Sequence, residues 1–310
     1  MASHVTAARW AKTKGVVSGV LRYALIGAIS FVILFPLMAK IPSSLMTEAD
    51  AIDRMVRWIP TQLTLSNYRH AFELMDYLAA FWNSVQLTLT VSLLQLVSCT
   101  LIGYGLGRFR FPGVNVLFAL VLFTLIVPPQ MVSIPLYLNL RFFNPLGLLS
   151  EPLNLIGTHW PFILTSATGT GLRNGFFIYI MRQVFRGMPK DLEDAAYVDG
   201  ANAFVTFYRI MLPSAGAAML IVFLFSFVWQ WNDLFLSTLY LGGNLNYLPF
   251  ALNEISYILY AGRTEFLVTY QYASILNNAA MLMFIAPVLL IYAFLQRYFV
   301  ESLERTGIKG

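Results

Sequence analysis

The sequence predicts an all-α integral membrane protein with six spanning helices, and three observations carry that expectation. Charged residues make up 11% of the 310 residues and hydrophobic ones 58%, whereas a soluble chain carries about a quarter charged. Six runs are long and apolar enough to cross a hydrocarbon core, which takes about 20 helical residues; they are 21–39, 85–107, 114–138, 160–181, 215–241 and 273–295. Nothing alternates apolar with polar residues in the short segments of a membrane barrel, so bundled helices are expected.

Along the chain, residues 1–18 read as a basic cytoplasmic tail and 19–80 as the first span with a long outer loop. A basic start before an apolar run also fits a secretory signal. Run 21–39 is too long for that, and Lys40-Ile41-Pro42 offers no small-residue cleavage site, so a retained helix is expected. Loop 40–80 is polar enough to fold on the outer surface around Tyr68, Phe72 and Tyr77. Residues 81–300 hold the other five spans, and 301–310 a second cytoplasmic tail. Pro128, Pro129 and Pro135 interrupt the third span; proline removes a donor and breaks the helical ladder, so a kink or split is expected near its outer end. Gly169, Gly171 and Gly175 crowd the fourth. Close packing through small residues is favoured there over an unwound segment lining a pathway.

Lys and Arg set the orientation. With the N-terminus inside, the inner segments hold Arg9, Lys12, Lys14, Arg22, Arg108, Arg110, Arg182, Arg186, Lys190, Arg209, Arg297, Arg305 and Lys309, thirteen of the 20. Both termini and the loop 188–213 are then cytoplasmic, and this bias accounts for the net charge of +5 without a nucleic-acid partner. A single cysteine, Cys99 inside the second span, leaves no disulfide framework and no cysteine metal site. His4, His70 and His159 are scattered, and no H-E-x-x-H occurs. A Walker A loop needs Gly directly before its Lys, whereas the five lysines follow Ala11, Thr13, Ala39, Pro189 and Ile308. No cofactor or metal is expected on this chain, and ATP hydrolysis would have to come from elsewhere.

The loop 188–213 reads MPKDLEDAAYVDGANAFVTFYRIMLP. Asp191 is expected as an N-cap, with Asp194 three residues into the helix where Glu would complete a capping box. Together with Glu193 these acids suit the positive end of a helix dipole. Gly200 stands where a helix leaves through a left-handed residue. The expectation is an eight-residue helix, 192–199, about 12 Å long. Leu192, Ala195, Ala196 and Asp199 share one face at helical spacing, and its two alanines would let another protein's groove close on it. Phe204, Phe207, Tyr208 and Met211 form a second stripe suited to the inner membrane surface or the bundle underside, and Pro213 is expected to end it. On periodicity alone a short amphipathic helix packing on its own protein is the favoured reading.

The order Asp194-Ala195-Ala196, then Gly200 after three residues, then Ile210, Leu212 and Pro213 after nine more resembles the E-A-A-x3-G-x9-I-x-L-P loop of ATP-binding-cassette importer permeases. Asn83-Ser84, the stretches 104–113, 128–137, 182–186 and 296–300, Trp231-Asn232-Asp233 and the tail 307–310 are similar to the carbohydrate members, specifically the smaller maltose-type permease subunit. The resemblance covers nearly the whole chain from Leu21. It implies a type I importer permease fold with a cytoplasmic coupling helix, in a bacterial or archaeal inner membrane. It implies contact with the ATPase through Leu192, Glu193, Asp194, Ala195, Ala196, Asp199, Gly200, Ile210, Leu212 and Pro213. It implies as partners a second homologous permease, two ATPase subunits that use the ATP, and an extracytoplasmic binding protein. Asp194 stands where the family usually has Glu, one methylene shorter and beside Glu193, so either acid could meet the ATPase. Family likeness favours a mono- or oligosaccharide as solute, with glycerol-phosphate or acidic saccharides as alternatives.

Five residues in the spans are candidates for the solute path. Arg173 lies nine positions before Arg182, about 14 Å along a helix, near the midplane. An arginine there faces protein or water; a pathway or inter-subunit contact and a shift of the span that brings it nearer the outside stand level. Asp233, with Trp229, Trp231 and Asn232, is expected at the outer interface, where tryptophan is enriched. That aromatic-belt reading is favoured over a sugar contact. An ion-driven secondary transporter would put acids deep in the spans, and apart from Asp233 none is found. A membrane enzyme or receptor would need a convergent His/Asp/Cys constellation, which the sequence lacks.

Overall fold

The computed structural model describes residues 2–171, 173–242, 246–260 and 270–307. Among them the chain is helical, with one isolated bridge between Phe143 and Leu153. The helices are α1 (Ala2–Ser44), α2 (Glu48–Ile52), α3 (Ser66–Leu74), α4 (Tyr77–Arg108), α5 (Val114–Ile126), α6 (Ser133–Arg141), α7 (Trp160–Ala167) and α8 (Asn174–Gly187). Then follow α9 (Asp191–Val198), α10 (Ala203–Thr206), α11 (Leu212–Ser214), α12 (Gly216–Trp231), α13 (Phe235–Leu241), α14 (Leu248–Tyr260) and α15 (Tyr270–Gly307). The side chains of Arg9, Lys12, Lys14 and Arg305, and residues 308–310 with Lys309, lie outside what is described.

Three helical stretches among the described residues, 17–44, 77–108 and 271–298, are long and apolar enough to cross a membrane. Two bent pairs raise that number to five. The expected break in the third span occurs where the prolines stand, α5 and α6 meeting at 101°. The fourth and fifth spans differ from expectation, because neither is one helix. At 160–181 the chain leaves α7 through Gly169 (φ 75°) and enters α8 through Arg173 (φ 56°). The chain is therefore unwound here, and close packing holds as well. A Cβ on Gly175 would lie 2.5 Å from Thr124 Oγ1 and 2.9 Å from the Val121 carbonyl oxygen. The run 215–241 is cut at Asn232–Leu234, because the Asp233 carboxylate accepts from the Leu236 and Ser237 backbone N–H groups at 3.3 and 2.8 Å and starts a new helix.

The chain forms two compact units. The first comprises residues 1–73 and 255–283. Here α1 presents Leu25, Phe31, Val32 and Ile33 to its surroundings, all at least half exposed, as suits a helix solvated by lipid. The loop that follows α1 is ordered by polar contacts. Asn67, wholly buried, donates at 2.8 Å to the Ser44 and Met46 carbonyls. Thr47 and Asp50 form a reciprocal capping box on α2, and Asp50 also accepts from Thr61 through N–H and hydroxyl. The Thr61 hydroxyl, with backbone donors, outweighs burial and holds the Asp50 carboxyl below its ordinary value of 3.8. A depressed carboxylate stabilises the fold above its unfolded pKa, and the contribution is lost as pH falls through the folded value. We expect loop amides of the wild type to be better protected than those of Asp50→Asn at neutral pH. Hydrogen exchange of the two should converge in acid; a constant difference would rule the carboxylate out.

The second unit comprises residues 74–254 and 284–310, and α4 is its axis. With no proline, α4 runs unbroken for 32 residues, and Gly103 and Gly107, four apart, let α8 approach its backbone. A Cβ on Gly103 would meet Met181 Cβ at 2.5 Å and the Arg182 N at 2.9 Å. This is the small-xxx-small packing of membrane helices, and Cys99, Phe177, Met181 and Phe185 fill the core around it. Gln95 on the same helix accepts a hydrogen bond from Ser226 of α12, and Ser98 donates to the Ser166 carbonyl at 2.6 Å. Lipid offers no competing partner, so these internal bonds help fix the three-helix register.

Candidate functional site

The helix of the loop 188–213 is α9, and it starts one residue earlier than expected. Lys190 already has helical angles (φ −67°, ψ −29°), and its carbonyl accepts from Glu193 and Asp194 at 2.9 and 3.0 Å. Asp191 is therefore the first helical residue and makes no side-chain cap; Asp194 is the fourth and closes no capping box. Asp191, Glu193 and Asp194 still crowd the first turn, where the dipole favours them. The C-terminus follows the expectation. Gly200 (φ 81°) donates to the Tyr197 carbonyl, and Ala201 to that of Ala196, the paired bonds of a Schellman ending.

Two of the candidate contact residues turn inward. Ala196 is 4% exposed and belongs to this chain's own packing; one step round the helix, Ala195 is exposed beside Asp194 and Asp199. Glu193 is tied to α4. Arg108, at the last turn of α4, donates from Nε to Glu193 Oε2 at 2.9 Å and makes a second bond to the same oxygen. Arg108 also reaches the Phe185 and Met188 carbonyls at 3.2 and 2.9 Å, and Tyr104 donates to Glu193 Oε1 at 3.3 Å. One guanidinium thus fastens α9 to the C-terminal ends of α4 and α8. In the sequence Arg108 stands out as topological charge and as one residue of the stretch 104–113, with no role of its own. Its partner lies 85 positions away, and no local spacing reveals it.

After Asn202, which caps α10 by accepting from Val205 N at 2.9 Å, the second stripe divides. Met211 is buried and Phe207 packs on Tyr104 with centroids 4.6 Å apart, but Phe204 and Tyr208 are 75% and 62% exposed. The cause is a wide turn at Phe207–Met211, where Leu212 N reaches back five residues to the Phe207 carbonyl. Pro213 cannot donate, and its ring would crowd the carbonyl four residues back; the widened turn relieves that crowding. The helix then runs to Ser214, one residue past Pro213, and bends 72° into α12. Ile210 and Leu212 are half-buried and Pro213 is exposed.

The five span candidates do not form one group. Trp231 is 1% exposed, donates to the Phe284 carbonyl at 3.1 Å and stacks on Phe227; it is core and belongs to no interfacial belt. Asn232 donates to the Val228 carbonyl at 2.7 Å, ending α12, and Asp233 starts α13 as described. Arg173 and Trp229 do come together, the guanidinium lying over the indole 4.6 Å from its centroid.

Residues 99–305 match the family described as binding-protein-dependent transport system inner membrane component. The chain is 30% identical to the osmoprotective compounds uptake permease protein GgtD of Synechocystis sp., over 91% of this chain and 89% of that one. It is 28% identical to the arabinooligosaccharides transport system permease protein AraQ of Halalkalibacterium halodurans, over 91% and 93%. Among solved structures it shares the fold of a chain from a bacterial ABC transporter involved in the import of the acidic polysaccharide alginate, with a TM-score of 0.72 and 23% identity over 91% and 96% of the two chains. With two thirds of its length matched, this multi-pass chain belongs to the inner membrane components of binding-protein-dependent transport systems.

Proposed function

We propose that this chain is the permease subunit of a saccharide importer driven by ATP hydrolysis on separate subunits, and that α9 is the piece those subunits grip. One observation carries the reading: α9 is fixed to the bundle at its base by Arg108 and Glu193, while Asp194, Ala195 and Asp199 face away from this chain. A rod anchored on one side and bare on the other suits a force-transmitting joint. Of the two acids, Asp194 is the one left to meet the ATPase. The saccharide class is supported by the relative that carries arabinooligosaccharides and the neighbour that imports alginate.

In this reading α7 and α8 together make one span, which completes six, and the N-terminus, the loop 188–213 and the C-terminus are cytoplasmic. The tail 1–18, the first span and outer loop 19–80, the core 81–300 and the tail 301–310 are its functional divisions. A second homologous permease, two ATPases and an extracytoplasmic binding protein complete the importer; the chain itself binds no ATP and no nucleic acid.

The exposures decide which alanine to test. Ala195→Trp is expected to leave the subunit folded and to cut ATP-dependent uptake by the reconstituted importer at least tenfold. That factor corresponds to about 1.4 kcal/mol. Ala196→Trp instead overpacks a buried site, which costs about 1–3 kcal/mol, and lowers the yield of folded subunit. Wild-type uptake by Ala195→Trp would overturn the assignment of α9.

A further inference from the structure

We propose that Arg173, stacked on Trp229 at the break between α7 and α8, is a carboxylate-binding subsite, and that the solute is an acidic, uronate-bearing saccharide. The inference rests on the saccharide reading above and narrows it.

Depth comes first. The 14 residues of α8 place Arg173 about 21 Å from the cytoplasmic-side end of that helix, inside a hydrocarbon core of about 30 Å. An exposed arginine at that level is costly unless water or a polar partner meets it. Among the described residues the ion pairs are Arg69–Glu73 and Arg108–Glu193, so Arg173 has no acidic partner here.

The second consideration is which part of the guanidinium is occupied. Stacking on Trp229 covers its face and leaves the edge, with its fork of N–H donors, free. That fork matches a carboxylate bidentately. Trp229 is itself backed by Phe225 and Phe177, stacked at 5.5 and 5.4 Å, so the arginine is held in place before any ligand arrives. Phe225 is 42% exposed and adds an apolar wall of the kind that lies against sugar C–H faces. The free cationic edge and the exposed Phe225 ring belong to one cluster around Trp229, and a carboxylate and an apolar C–H face are the two halves of a uronate.

Two backbone features agree. Arg173 holds left-handed angles (φ 56°, ψ 18°) without being glycine, a strained conformation of the kind that gathers at ligand sites. It also stands at the N-terminal end of α8, where the dipole favours an anion, as in the broken helices of other transporters. Next to it the Asn174 amide is 1% exposed, with neither its oxygen nor its nitrogen hydrogen-bonded.

The test uses the complete importer in vesicles, with trimers of galacturonate, mannuronate and glucuronate and their carboxyl-reduced neutral counterparts as probes. ATP-dependent uptake of at least one uronate trimer is expected. Arg173→Gln should lower it about 10- to 100-fold, the worth of a lost charged hydrogen-bond pair, and change the neutral counterpart by less than about twofold. Arg173→Lys should restore part of the uronate uptake. Equal losses for charged and neutral trimers would mean that Arg173 meets a carboxylate of the second permease or only packs, and the subsite would be lost. Uptake of neutral trimers alone would overturn the inference and leave the saccharide reading standing. Uptake of no saccharide would remove both. Should Arg173→Gln fail to assemble, Trp229→Leu must lower the uronate-over-neutral preference, and an unchanged preference would count against the site.

Discussion

Arg108→Ala is expected to destabilise the permease by about 3–5 kcal/mol, the usual cost of stranding one member of a buried ion pair. The side chains of Arg108 and Glu193 are only 6% and 14% exposed, so water cannot replace the lost partner. The same substitution strips donors from the Phe185 and Met188 carbonyls at the end of α8, so its effect should exceed that of Glu193→Gln, which keeps an acceptor. The double variant Arg108→Ala, Glu193→Ala should be less damaged than the sum of the singles, because neither then leaves a charge uncompensated. Unfolding of the purified subunit measures these terms. A second readout separates joint from ballast. If the pair transmits force, Arg108→Lys, which keeps the charge but not the planar fork, should hydrolyse ATP with fewer solutes moved per ATP. An unchanged ratio would reduce the pair to a structural role.

The other large effect is expected at Gly103. An added methyl would sit 2.5 Å from Met181 Cβ and 2.9 Å from the Arg182 backbone nitrogen, and backbone cannot swing aside. Gly103→Ala should cost about 1–3 kcal/mol, as overpacking does, and Gly103→Leu should prevent α4 and α8 from closing at all. Gly105 is the internal control. Two residues on, nothing lies within 4 Å of its built Cβ, so Gly105→Ala should stabilise by up to about 1 kcal/mol through helix propensity alone. Thermal unfolding in detergent tests both; equal behaviour of the two glycines would show that the close approach is absent.

What the sequence revealed, and what it withheld, follows the range of the interactions. The uninterrupted helices α1, α4 and α15 were legible from apolar length, and the break after Ile126 from Pro128 and Pro129, because each is a property of adjacent residues. Gly200 was legible for the same reason, since a left-handed exit is a local demand. Asp191 misled because Asp is a good cap only where the chain arrives extended, and Lys190 arrives already helical. Ala195 and Ala196 look alike in sequence; which of them is buried depends on packing that periodicity does not see. Trp231 was expected at an interface on composition, yet Phe81, Phe227 and Phe284 enclose it. Gly103 and Gly107 are four apart in the sequence, but only Gly107 falls in the stretch 104–113, and nothing local says which helix would close on the pair. The Glu193–Arg108 pair was the hardest to foresee, since its two halves come from different helices.

The two exits from α9 are mechanically unequal. On its upstream side a single guanidinium joins α9 to the ends of α4 and α8, so under the proposed coupling a tilt of α9 would act on both helices through Arg108. On its downstream side the widened turn and the 72° elbow at Ala215 supply slack before α12 begins. If α9 is the joint proposed above, a push on it is geared toward α4 and α8, and α12 follows through side-chain contact with them rather than by a direct pull along the chain.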